Sequence, residues 1–208
     1  TENRLEITCG EAPYLVSRYD TTTGESIPLA NRIGLLDRKL RIVGENTTNP
    51  GEWLDWVRKA YMHTYGYEWQ GDNLLLAREA LLYTFIEYYK AKFPDEELKK
   101  SSIVGIARII SWNLWQMDGI KMVVPDSCDK VYKTNLWGEK EKMVCPACQK
   151  GEMKGHIGIQ CIIRDWNLKK PKDWQPKPGE DPHTQPWQKI KFSSLLNNNQ
   201  TETEDDEI

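Results

Sequence analysis

Four of the five cysteines, Cys128, Cys145, Cys148 and Cys161, fall within residues 128–161. Cys145 and Cys148 stand in the tetrapeptide CPAC, whose proline favours a tight turn that aims two thiolates at one point. Two further cysteines complete the tetrahedral shell that zinc prefers. His156, in KGHIGI, is the alternative to one of them and would make the set three cysteines and one histidine. Thiolates held this way need no charged neighbours, because the ion itself lowers their pKa. Four protein ligands close the shell, so the expected ion is structural and staples a segment with few core residues of its own. The competing reading of the same residues is an isolated redox or incidental CxxC. Lys142, Lys150 and Lys154 surround the segment, but so do Glu139, Glu141 and Glu152, and a structural role is favoured over DNA contact.

A second chemistry is suggested by residues 5–15, LEITCGEAPYL. A short apolar run ends in a Thr8-Cys9-Gly10 turn. There Gly10 can take a positive φ, and Ala12 is small enough to let the backbone approach a nucleotide-sized ligand. Residues 65–82, YGYEWQGDNLLLAREALL, supply the complement: a strand ending in Glu68 and Trp69, then an apolar helix. An acid at the end of a second strand is the hydrogen-bond acceptor that a ribose diol requires.

Together these pieces resemble the cofactor half of the adenine-specific (N6) DNA methyltransferases of restriction-modification systems. Glu6 to Leu15 lies over the family's first motif position for position. Ile7 replaces the usual proline, Glu11 a small or polar residue, Ala12 the second glycine, and Pro13 precedes the aromatic Tyr14. Glu68 falls on the ribose-binding acid, and Asn113 to Ile120, NLWQMDGI, is similar to the segment whose aspartate, here Asp118, accepts from the adenine amino group of the cofactor. The stretches SRYDTTTGE and NRIGLLDRKL also resemble the opening of such enzymes. The resemblance covers roughly residues 4–125. It implies an α/β fold, a partial Rossmann-like S-adenosylmethionine-dependent methyltransferase sheet carrying a small zinc-ribbon-like insert. It also implies S-adenosylmethionine as cofactor, held through Glu6, Thr8, Cys9, Gly10, Ala12, Glu68, Trp69 and Asp118.

The family's catalytic motif is an Asp, Asn or Ser followed by two prolines and an aromatic, and this sequence holds no such tetrapeptide. Asn49-Pro50-Gly51 lacks the second proline and the aromatic, and it precedes Glu68. No catalytic residue is therefore assigned. The chain also opens almost at its first strand. The resemblance then implies part of a methyltransferase: a subunit, a fragment or a degenerate relative. It would meet DNA through the complete enzyme, with a companion chain or a missing C-terminal part carrying the motif, and would be inactive alone. The alternative is a non-enzymatic, zinc-containing DNA-binding or regulatory module derived from the same fold.

The elements that must position these groups follow from pattern. At 208 residues the chain suits one domain of ordinary size or one with a small appendage. A net charge of −3 provides no global basic field of the kind a freestanding nucleic-acid binder carries. No apolar run reaches membrane-spanning length and no leader opens the chain, so a cytoplasmic protein with reduced thiols is expected. Residues 14–19 read as a short helix after the first turn. Residues 31–44 are amphipathic, with Ile33, Leu35, Leu36, Leu40 and Ile42 among Arg32, Arg38, Lys39 and Arg41, the clearest basic cluster. Helices are expected over 52–62, with Trp53, Trp56, Val57 and Ala60 on one face, over 72–92 capped by Asp72, and from 94 or 95 to 111. Strand and helix alternate as in a parallel sheet with crossovers. The divisions drawn are 1–125 for the cofactor-binding part, 126–163 for the insert, 164–196 for an extended loop with a short strand, and 197–208 for a disordered acidic tail. His63 and His183 are given no catalytic role.

Overall fold

Three short strands, Arg4–Glu6 (β1), Thr64–Glu68 (β2) and Leu114–Gln116 (β3), pair in parallel in the order β1-β2-β3. Every residue of β2 is buried, as a strand flanked on both sides and covered on both faces should be. The structure, a computed structural model, describes residues 2–173, 175 and 186–196, and the chain divides into two units, Thr1–Gln116 and Met117–Ile208. The first is a mixed α/β unit. Helices Leu35–Asn46 (α1) and Pro50–Met62 (α2) lie between β1 and β2, and Gly71–Lys92 (α3) and Lys100–Asn113 (α4) between β2 and β3.

Asn49 and Pro50 start α2. The Asn49 side chain accepts the Glu52 N–H at 2.9 Å, and Pro50, which has no N–H to lose, occupies the first turn. The helices meet through aromatic rings: Trp53 stacks on Phe85 at 5.9 Å between centroids and meets the edge of Tyr89 at 5.6 Å, while Tyr61 donates from its hydroxyl to the Leu81 carbonyl. Ile106, Ile109 and Ile110 of α4 are buried on one face. Asn113, at the end of α4, is buried and donates from Nδ2 to the carbonyls of Tyr61, Met62 and Thr64 at 2.9–3.1 Å. One amide thus fixes where α2 ends and β2 begins. Arg78 of α3 likewise donates to the Leu114 carbonyl.

Several expectations are corrected. Residues 14–19 form no helix. Ala12, itself at φ +64°, accepts from Leu15 and Val16 in a single turn, after which Arg18 and Arg32 both pair with Glu87 of α3. Arg41 donates to the Arg32 carbonyl and Lys39 to Thr64 Oγ1, so much of the basic cluster is spent inside the fold. Ile33 and Ile42 are exposed, and of the apolar positions around α1 only Leu36 and Leu40 are fully buried. Trp56 is also exposed, with Lys59 Nζ 4.1 Å from its ring centroid. Asp72 is not a cap, because Gln70 holds that position without a side-chain bond. α4 begins at Lys100, leaving residues 95–99 outside the helix.

Among the described residues the second unit holds two antiparallel pairs, Tyr132–Thr134 (β4) with Lys140–Lys142 (β5), and Ile162–Arg164 (β6) with Lys189–Lys191 (β7). A short helix, Pro146–Lys150 (α5), lies between β5 and β6. The unit starts at Met117 rather than near 125 because Asp118 bridges to Val123 and Val123 to Gln160, tying this loop to the cysteine-bearing part. His183 and the tail 197–208 lie outside the described residues, as do residues 174 and 176–185 of the expected loop. Among the described residues no helix is long and apolar enough to cross a membrane.

Candidate functional site

At the carboxyl edge of the first unit's sheet, the chain leaves β1 through a turn in which Thr8, Gly10 and Ala12 all have φ between +49° and +64°. Glycine tolerates this region, whereas threonine and alanine are strained there. Two contacts hold the turn: Cys9 N–H donates to the Tyr67 carbonyl at 2.8 Å, and Gly10 N–H donates to Glu68 Oε2 at 2.8 Å. The other carboxylate oxygen of Glu68 accepts the Gln70 N–H at 3.1 Å. Glu68, at the end of β2, is buried and clasps the β1 turn against its own strand.

Beside this turn opens a cleft of about 690 Å³, walled by Thr8, Gly10, Glu11, Tyr14, Glu79 and Tyr83 among others. That volume is in the range of small-molecule sites. Of the residues expected to hold a cofactor, Thr8, Cys9 and Gly10 line the cleft, whereas Glu6, Ala12, Glu68, Trp69 and Asp118 do not. Ala12 is fully buried, so its small size serves the core. Glu6 lines a separate hollow with Tyr14, Ile33 and Arg38, and burial raises its pKa. Cys9 presents a protonated thiol, because burial, then the nearby Glu68 and Glu6, push its pKa up to about 12. Trp69 is half exposed and accepts from Gln116 through its carbonyl. Asp118 belongs to the second unit. Its Oδ1 caps its own turn by accepting from Ile120 and Lys121, both at 3.0 Å. Glu11 and Tyr14 stand in the turn segment singled out from sequence, whereas the walls Glu79 and Tyr83, which come from α3, were not legible there.

In the second unit Cys128, Cys145, Cys148 and His156 bring one ligand atom each to within 4.8 Å of one another, a Cys3His group that could hold a metal ion such as zinc. Cys128 sits on a short 3-10 turn, Ser127–Lys130. Cys145 and Cys148 flank Pro146 at the start of α5. Gly155, at φ +81°, turns the chain so that His156 faces back. The fourth position is taken by His156 and not by Cys161, which is buried next to β6, with burial raising its pKa to about 11. His156 Nδ1 lies 3.7, 3.6 and 3.4 Å from the sulfurs of Cys128, Cys145 and Cys148, and Nε2 lies 2.9 Å from the Glu152 carbonyl. Burial works against a thiolate at Cys145, but the backbone N–H groups of Ile157 and Cys148 and the His156 ring outweigh it and bring the pKa down to about 6. Cys128 is pushed up to about 11 by burial and by the neighbouring thiols. His63, set aside from the sequence, hydrogen-bonds the Lys59 carbonyl through Nδ1.

No protein-family model, curated protein or solved structure matches the chain.

Proposed function

We propose that this chain is the S-adenosylmethionine-binding part of an adenine-N6 DNA methyltransferase from a restriction-modification or phage-defence system. The observation that carries the reading is the direct contact of the Gly10 turn after β1 with the acid Glu68 at the end of the adjacent parallel strand β2. Open α/β sheets bind nucleosides at their carboxyl edges, with a glycine turn after one strand and an acid at the end of its neighbour, and the order β1-β2-β3 is that of one half of such a sheet. The resemblance of residues 4–125 supplies the particular cofactor.

The bound cofactor would supply an electrophilic methyl group for a flipped adenine's amino nitrogen. This chain's share of the work is positional. The turn at Thr8–Gly10 brings backbone against the ligand, Glu68 fixes that turn, and the tyrosines of the cleft provide apolar walls. The grip on the target adenine would come from a companion chain or further sequence. A metal at the Cys3His group is structural in this reading, because four protein ligands leave no open position.

One observation favours the second reading, a non-enzymatic DNA-binding or regulatory module: both Glu68 oxygens face backbone amides, and Glu68 does not line the cleft. Titration calorimetry with S-adenosylmethionine and with S-adenosylhomocysteine separates the two. Saturable binding at one site supports the cofactor reading. The absence of heat up to about 1 mM of either ligand, from folded protein, removes it.

A further inference from the structure

The second unit has little apolar matter to hold it together. Among the described residues its buried apolar side chains are Met117, Val123, Ala147 and Ile163, with the cysteines Cys128, Cys145 and Cys161. Two of those cysteines belong to the Cys3His group, and the cluster around them adds only Val123, Ala147 and the half-buried Ile157. A core of this size is too small to stabilise a fold without a covalent or metal staple.

The donor geometry itself asks for a cation. Three sulfurs surround the one nitrogen, His156 Nδ1, at 3.4–3.7 Å. A single imidazole lone pair can accept one S–H, so hydrogen bonding explains one of these approaches and not three. A tetrahedral ion with Zn–S of about 2.3 Å and Zn–N of about 2.05 Å would place sulfur and nitrogen about 3.6 Å apart, in agreement with all three distances. The tautomer is also set. His156 Nε2 lies 2.9 Å from the Glu152 carbonyl and donates to it, which leaves Nδ1 unprotonated and facing the sulfurs. Glycine at 158 keeps the backbone close: a Cβ there would stand 3.1 Å from Cys128 Sγ and 2.5 Å from Ser127 Oγ.

We infer that Cys128, Cys145 and Cys148 through Sγ and His156 through Nδ1 bind one zinc ion, and that this ion folds the segment from Val123 to Cys161. Zinc is favoured over other divalent ions because the shell is closed, sulfur-rich and four-coordinate. Each thiol loses its proton to solvent on binding, while the neutral imidazole keeps its proton on Nε2. The inference rests on the proposed structural metal at this group and is independent of S-adenosylmethionine binding.

The test is made on the full chain purified with zinc in the medium. Metal analysis should find about one equivalent of zinc, and X-ray absorption should show three sulfurs at about 2.3 Å and one nitrogen at about 2.0–2.1 Å. Less than about half an equivalent overturns the metal altogether. Zinc in a four-sulfur shell leaves a structural metal in place and overturns the ligand set, bringing Cys161 back. Cys161→Ala should retain the metal and its spectrum, whereas His156→Ala should lose zinc or exchange nitrogen for water oxygen, and His156→Cys should restore a closed shell. If the variants do not fold, the wild-type spectrum still decides. Removing zinc with a chelator should speed amide exchange across residues 128–158 by at least about tenfold, reversed on adding zinc back, with residues 64–113 unchanged. Unchanged protection after complete metal removal overturns the folding role.

Discussion

Replacing Glu68 with glutamine tests whether the turn after β1 is held by a carboxylate clasp. Thr8 and Ala12 both occupy the left-handed region, at φ +49° and +64°, each costing about 1–2 kcal/mol for a residue with a Cβ. The Glu68 carboxylate opposes that strain with two charge-assisted bonds, to Gly10 N–H at 2.8 Å and Gln70 N–H at 3.1 Å, each worth about 1.5–3 kcal/mol. In Glu68→Gln one oxygen still accepts, as a neutral bond of about 1 kcal/mol, but the amide nitrogen is turned toward a second N–H and that bond is lost. The net loss is about 2–5 kcal/mol, comparable to the strain that the clasp offsets. The turn should therefore loosen even where the sheet survives. Chemical denaturation should show the lower stability, and hydrogen exchange should show the Gly10 and Gln70 amides losing protection in the absence of any ligand. If the variant stays within about 0.5 kcal/mol of wild type and the Gly10 amide remains protected, the carboxylate does not hold the turn. The structural half of the cofactor argument then falls.

Cys9 should make the protein less stable in base. Its pKa rises from near 9 to about 12 on folding, so the stability it contributes is intact below pH 9 and is lost as the pH climbs toward 12. Denaturation of wild type against Cys9→Ala should show the difference changing by up to about 1.4 kcal/mol per pH unit in that window, and a parallel pair of curves would refute it. Asn113→Ala should cost about 2–4 kcal/mol by chemical denaturation, since two amide protons serve three carbonyls in a buried site; a loss below about 1 kcal/mol would mean that water replaces the side chain. Gly158→Ala should weaken zinc binding by about 10–100-fold in chelator competition, because the new Cβ meets Ser127 Oγ, which is itself held by Val124 and Ile159. Unchanged affinity would show that the loop yields freely.

The sequence by itself determined what local rules encode. The apolar stretch that becomes α3 and the cysteine grouping are patterns along the chain; the first reappears as a helix, and three of the four grouped cysteines reappear in one cluster. Asn49-Pro50 is equally local, yet the helix expected from residue 52 starts at Pro50, where the Asn49 side chain supplies the cap. Tertiary structure decided the matters that depend on which distant atom fills a given space. Cys161 and His156 were both eligible as the fourth ligand on spacing. The turn at Gly155 brings the imidazole to the three sulfurs, while the β6–β7 pairing draws the chain around Cys161 into the sheet, where Phe192 donates to its carbonyl. Glu68 was legible as an acid at a strand end, but its orientation depends on Gly10, 58 positions away, whose N–H reaches it only because β1 and β2 are neighbours. Asp118 reads like a ligand in the segment NLWQMDGI and caps its own turn in the fold, because it accepts from the amides of Ile120 and Lys121. The buried Arg32 and the half-buried Arg41 show the same limit, since charge counted along the chain cannot tell a cation partnered inside the protein from one left to meet a partner.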